Sequence, residues 1–269
     1  MNEGMRTADL IELHDGHHIP QLGVGTYKID PGITERVVTE AFAAGVRHVD
    51  TAAYYNNETQ VGHAIARSGV PREDIFVTTK LWNDRHGDPA DALRESLDKL
   101  GLERVNLYLI HWPCPEQGRY LDAWEKLIEL REAGLTDSIG VSNFEPDHLQ
   151  RIIDATGQTP VVNQIELNPL RQRRELVADC RARGIAIEAW APLGQGSHTL
   201  IDAPAVTAAA HAHRVSAAQV LIRWHLQHGN IIFPGSSNGQ HLKDNANVFG
   251  FALSDKEMAA LDALDGQAA

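Results

Sequence analysis

The chain has two cysteines among its 269 residues, Cys114 and Cys180, far apart and outside any CxxC pairing. A disulfide scaffold is therefore not expected, and reduced thiols are the default. No apolar run approaches the roughly 20 residues of a membrane helix, and MNEGMRTADL carries no signal-peptide apolar segment, so the expected location is the cytoplasm with no membrane partner. Basic residues are the minority, 24 against 36 acidic for a formal net charge of −12, and they form no long run. Nucleic acid is not an expected partner. Among the 14 histidines there is no HExxH motif, and the spacing of His111 and Cys114 is too thin a signal to assign a metal. A full dinucleotide fingerprint is also missing: GVGTYK at 23–28 has two glycines of GxGxxG but Lys28 where the third belongs. That counts against a doubly wound nucleotide fold.

Short runs rich in Val, Ile and Leu recur at 21–27, 47–51, 75–81, 105–111, 138–142, 161–166, 186–190 and 231–233. Segments with helical spacing lie between them, such as PADALRESLDKLG and YLDAWEKLIELREAG, several ending in glycine. Strands that are apolar throughout and alternate with helices belong to a parallel sheet covered by helices. Eight such units predict an α/β fold, a closed (β/α)8 TIM barrel, forming one domain over 1–269 with residues 1–9 flexible. IELHDGHHIP at 11–20 predicts a β-hairpin ahead of it, and Ser254 an N-cap for a last helix. Two connections, PCPEQGRY and APLGQGSHTLIDAP, are long enough to carry binding.

Three of the strands end on chemically useful groups: Asp50 with Tyr55 just beyond it, Lys80, and His111. In such a barrel the working residues stand at the carboxyl ends of the strands. A lysine ammonium about 4 Å from a phenol favours the phenolate by up to roughly 4 kcal/mol at an effective dielectric near 20, and Asp50 would return part of that. The set predicts a phenol that gives a proton to a developing alkoxide, with neutral His111 orienting the same oxygen. Taken singly, each residue also has a structural reading, as a rim ion pair, a core histidine or a packed tyrosine.

RHVDTAAYYNNE, VTTKLWN, LIHWP, SIGVSNF, VNQIELNP and EAWAPLGQG resemble, in order and over nearly the whole chain, the motifs of the aldo-keto reductases, in particular the short bacterial branch with 2,5-diketo-gluconate reductases. The resemblance implies an NAD(P)H-dependent reductase of aldehydes and ketones. Tyr55 is then the general acid, tuned by Lys80 and Asp50, His111 orients the carbonyl, and Asp50 also contacts the cofactor. Ser142, Asn143 and Gln164 would hold the nicotinamide carboxamide, Trp190 would stack on its ring, and Leu193, Gly194 and Gln195 would lie over the pyrophosphate. Tyr27, Trp82 and Trp112 would wall the substrate side beside Tyr55 and His111. A monomer is the family habit.

The family's adenosine-phosphate segment, IPKSxxxxRIxEN, is here FPGSSNGQHLKDN. Gly235 replaces the lysine and His241 the arginine, while Ser236, Asp244 and Asn245 keep the pattern. Each lost charged hydrogen bond is worth roughly 1.5–3 kcal/mol, so NADH or dual use stands beside NADP(H), with Ser237, Asn238 and Lys243 as compensating groups. Little sequence follows the last helix, which by the resemblance implies an open pocket and broad acceptance of substrates. Two other classes remain in view: a non-catalytic cofactor sensor on the same barrel, and a metal-dependent barrel hydrolase drawing on Asp50, His111 and Glu166.

Overall fold

The computed structural model describes residues 9–267. The flexibility expected at 1–9 falls, for 1–8, outside the described residues, while Asp9 is tied down, its carbonyl accepting from Gln21 N at 2.9 Å. Strands β1 (Leu10–Glu12) and β2 (His18–Pro20) form the hairpin, antiparallel with Ile11 opposite Ile19. Gly16 takes φ 87° in its turn, a conformation open to glycine without steric cost. Leu13 and Ile19 are buried against Phe76, Val161 and Ile231, at or beside the starts of barrel strands, so the hairpin plugs the amino-terminal mouth.

The barrel strands are β3 (Val24–Gly25), β4 (His48–Asp50), β5 (Phe76–Leu81), β6 (Val105–Ile110), β7 (Thr136–Ser142), β8 (Val162–Glu166), β9 (Ala186–Trp190) and β10 (Ile231–Ile232). They pair in chain order as one parallel eight-stranded sheet. Closure falls between the ends: Gly23 N donates to Ile232 O at 2.7 Å and Ile232 N to Gln21 O at 2.9 Å. The first strand is shorter than the run 21–27 because the seam is tight. A Cβ on Gly25 would lie 2.6 Å from Phe233 O, and the chain turns away at Lys28, φ 60°.

Helices α1 (Pro31–Ala43), α2 (Glu58–Arg67), α3 (Pro89–Leu100), α4 (Tyr120–Glu132), α5 (Pro146–Thr156), α6 (Arg174–Ala182), α7 (His198–Ile201), α8 (Pro204–His213), α9 (Ala217–Gln227), α10 (Gly239–Ala246) and α11 (Asp255–Asp262) cover the outside. Ser254 caps α11 in a capping box with Glu257. Two helices fall where only loop or motif was read: α7 inside the long connection after Trp190, and α10 inside the phosphate-type segment, capped by the Asn238 side chain on Gln240 N at 2.8 Å. Among the described residues no helix is long and apolar enough to cross a membrane.

The period of two in a strand decides which side chains meet. In β5, Val77 and Leu81 join the helix-packed core, whereas Phe76 lies with the interior cluster. Lys80 therefore shares the inner face with Phe76. The same alternation sends Asp50 inward from β4, Gln164 from β8, and Glu188 and Trp190 from β9.

Candidate active site

Asp50 ends β4, and residues Ala53–Tyr55 follow as a single helical turn closed by Asn56 in the left-handed region, φ 56°. Asn57 fastens that turn to the seam: its Nδ2 donates to Thr26 O at 2.9 Å, and its Oδ1 accepts from Thr51 Oγ1 at 3.2 Å. Tyr55 is thereby returned over the end of β5. There the Lys80 ammonium donates to both Asp50 oxygens at 2.7 and 2.8 Å, to Thr51 O at 2.9 Å and to Tyr55 OH at 3.3 Å. The His111 ring stands edge-on to Tyr55, centroids 5.7 Å apart. The four residues expected to converge do so.

The electrostatics differ from the expectation in one respect. Burial pushes the Tyr55 phenol up to about 12, outweighing the pull of Lys80, with Asp50 adding to the rise. Burial is the larger effect, and Lys80, whose shortest bonds go to Asp50 and Thr51, offsets only part of it. Burial alone would lower Lys80, but Asp50 and Tyr55 hold it above the usual ammonium range. Burial pushes the Asp50 carboxyl up, opposed by Lys80 and Gln164. His111 is forced down to about 2 by burial and by the Lys80 charge, so its ring is neutral. Its Nδ1 is buried without a partner among the described residues, leaving Nε2 to face the site. The result is a protonated phenol beside a fixed ammonium and a neutral imidazole. That arrangement can deliver a proton to an oxygen gaining negative charge.

The residues expected around a carboxamide are bonded to one another and to the four. Gln164 Nε2 donates to Asp50 Oδ2 and to Glu188 Oε2, each at 2.9 Å. Ser142 Oγ donates to Gln164 O at 2.8 Å. Asn143 Nδ2 donates to His111 O at 3.1 Å, and Asn143 Oδ1 accepts from Trp190 Nε1 at 2.9 Å. Trp190 is only half-buried, so its ring keeps an open side, and Gln164 Oε1 has no partner among the described residues. An aromatic face beside an amide oxygen suits a flat ring bearing a carboxamide, so these residues fit a nicotinamide.

Leu193, Gly194 and Gln195 form the turn after β9, where Lys28 Nζ donates to Gln195 Oε1 at 3.1 Å and bridges the two loops. The phosphate-type segment leaves β10 one strand further on, away from the tetrad. Ser236 Oγ accepts from Asn238 N at 3.1 Å and lies 3.4 Å from His241 Nδ1, and Asn245 is buried on α10. Gly235 has a backbone reason to be glycine: a Cβ there would lie 2.6 Å from Gly25 O. A guanidinium does reach the segment from α1, as Arg36 Nη2 donates to Ser237 O at 3.1 Å.

Around the phenol, Tyr27 lies 5.1 Å from the Tyr55 ring and Trp82 5.0 Å from the His111 ring. Trp112 follows His111 and is 40 % exposed. Tyr54, Arg36 and Glu188 were not singled out from the sequence. Tyr54 stacks on Trp82 at 3.7 Å and 17° while 48 % exposed, which makes it part of the same wall. Glu188 sits inside a quoted motif, and the inward phase it shares with Trp190 could have found it. No pattern points to Arg36.

A model described as the aldo/keto reductase family matches residues 21–266. An aldo-keto reductase of Mycobacterium sp. (strain KMS) is 51% identical over 96% of this chain and 94% of its own length. A methylglyoxal reductase DkgA of Yersinia pestis is 46% identical over 97% and 94%. Among solved structures, an aldo/keto reductase from Brucella melitensis superposes with a TM-score of 0.92 at 44% identity, covering 96% of this chain and 100% of that one. A Bombyx mori aldo-keto reductase in complex with NADP does so at 0.91 and 38% identity, covering 98% and 95%.

Proposed function

The chain belongs to the aldo/keto reductase family and is a nicotinamide-dependent reductase of aldehydes and ketones, and on that premise we propose how its residues divide the work. Tyr55 donates the proton. Lys80 stabilises the phenolate that forms, Asp50 keeps Lys80 charged and in place, and His111 Nε2 holds the carbonyl oxygen. Ser142, Asn143, Gln164 and Trp190 bind and orient the nicotinamide, which when bound supplies the hydride. Leu193, Gly194 and Gln195 lie over the pyrophosphate. Tyr27, Tyr54, Trp82 and Trp112 form the apolar wall that admits the substrate and excludes water. The observation that carries this reading is the Lys80 ammonium bonded at once to Asp50, at 2.7 Å, and to Tyr55 OH, at 3.3 Å.

NADP(H) is the cofactor in this reading, with Ser236, Ser237, Asn238, His241 and Asn245 around the adenosine phosphate. Arg36 reaches the segment at Ser237 O while paired with Glu40 at 3.0 Å, a partly compensated charge where Gly235 supplies none, and the weakened segment leaves room for NADH. The methylglyoxal reductases among its relatives put small dicarbonyls first among substrates. The whole chain acts as one barrel domain, a monomer in the cytoplasm. Its net charge of −12 supports the absence of a nucleic-acid partner.

A hydrolase reading is disfavoured by commitments already made: Asp50 is taken by Lys80, and Glu166 is paired with Arg171 at 2.7 Å. The test is steady-state reduction of methylglyoxal and a panel of aldehydes and diketones with NADPH and NADH in parallel. Turnover favouring NADPH, by a smaller margin in Arg36→Ala, supports the proposal. Dinucleotide binding without turnover on any carbonyl would favour a sensor instead.

A further inference from the structure

Glu188 stands inside the barrel with no part in that division of work. It is fully buried, and its Oε1 has no partner among the described residues. Its Oε2 accepts from the same Gln164 Nε2 that donates to Asp50. An amide nitrogen carries two hydrogens, and here both go to carboxyl oxygens from two strands, β4 and β9. That fixes the plane of the amide and its sense, because a flipped Gln164 would turn its oxygen on the Asp50 carboxylate. Gln164 Oε1 is left pointing away from both acids, as an acceptor.

We propose that Glu188 is a positioning residue, a buried acid that clamps the Gln164 amide against Asp50, so that Gln164 presents its carbonyl oxygen to the nicotinamide carboxamide. The inference rests on the functional reading above and deepens it. The protonation state follows from the surroundings. Burial lifts the Glu188 carboxyl to about 8, Asp50 adds to the rise, and Gln164 and Lys80 oppose it. The charged groups facing it are Asp50 from β4 and Lys80 from β5. β8 contributes the neutral Gln164, and β10 on the other side contributes only Ile231 and Ile232. Lys80 is already held by Asp50. A second carboxylate would leave the interior with an uncompensated charge, opposing the phenolate that develops on Tyr55. Glu188 therefore holds Gln164 as a protonated acid, and its ionisation adds an interior negative charge that disfavours the phenolate on Tyr55.

The test uses the full chain with Glu188→Gln, which keeps the shape and an acceptor for Gln164, and Glu188→Leu, which keeps volume but no acceptor. Difference infrared spectra of the free protein between neutral and alkaline pH report a protonated carboxyl directly, without cofactor. NADPH binding followed by tryptophan fluorescence reports the clamp. The expected results are a protonated-acid band lost on alkalinisation in the wild type and absent in Glu188→Gln, and about tenfold weaker NADPH binding in Glu188→Leu, the worth of one good hydrogen bond. Glu188→Gln recovers most of that affinity and lacks the alkaline fall in turnover expected of the wild type. Absence of a Glu188-dependent acid band at neutral pH, or wild-type affinity in a folded Glu188→Leu, overturns the inference alone. A wild type that binds no nicotinamide dinucleotide overturns the functional reading and the inference with it.

Discussion

Replacing Lys80 by methionine keeps most of the length of the side chain and removes the charge on which the site depends. The ammonium is 3.3 Å from Tyr55 OH, and at an effective dielectric near 20 a charge pair at that distance is worth about 5 kcal/mol. If about half of that is felt when the proton is half transferred, turnover falls about 10²-fold in Lys80→Met. The same substitution leaves Asp50, 2 % exposed, without the donor that holds both of its oxygens. Breaking a buried pair costs about 3–5 kcal/mol. The sign of its pH dependence follows from the carboxyl. Burial already raises Asp50, and without Lys80 its folded value rises further. An acid whose folded pKa lies above its unfolded one loses stability as pH rises, so the deficit of the variant is larger at about pH 8 than at about pH 5. Urea denaturation at both pH values and single-turnover reduction measure the two effects. Turnover within about threefold of the wild type, or a deficit that grows toward acid, would refute the reasoning.

Tyr54→Ala removes the ring stacked on Trp82, and the loss of about 0.5–1.5 kcal/mol of aromatic contact raises KM for an aromatic aldehyde up to about tenfold, with less effect on methylglyoxal. Steady-state KM values for the two substrates check it. Gly62→Ala drives a Cβ into the Leu100 carbonyl where α2 meets α3, and such overpacking lowers stability by about 1–3 kcal/mol with KM unchanged, as denaturation and kinetics would show. Glu188 is raised from 4.5 to about 8 in the folded chain, so it reduces stability progressively between those values and by a constant amount above. Glu188→Gln flattens that slope, and thermal unfolding at several pH values would show whether it does.

The barrel was legible because parallel strands buried on both faces read as short apolar runs, and glycines such as Gly101 and Gly134, each with positive φ, mark where helices stop. Lys80 and His111 were legible as polar residues closing apolar strands. The motif match placed Gln164 and Trp190. The net shift of Tyr55 was not legible, because it is set first by how deeply the phenol is buried, which spacing does not record. The two short helices escaped for a local reason: α7 covers four residues inside a glycine-rich loop, and α10 opens on Gly239 behind a capping asparagine. The glycine at 235 looked like the loss of a phosphate ligand. The contact with the Gly25 carbonyl shows it to be also a condition of closing the barrel seam.

The central claim is that the Tyr55 phenol gives the proton. Tyr55→Phe keeps the ring packed against Tyr27 and His111 and removes only the oxygen. The direct measurement is single-turnover reduction of methylglyoxal by Tyr55→Phe preloaded with NADPH, beside the NADPH affinity of the same preparation. The account predicts affinity close to that of the wild type and hydride transfer slower by about 10²- to 10⁴-fold, the usual contribution of a positioned general acid. Hydride transfer at the wild-type rate in the loaded variant would contradict it.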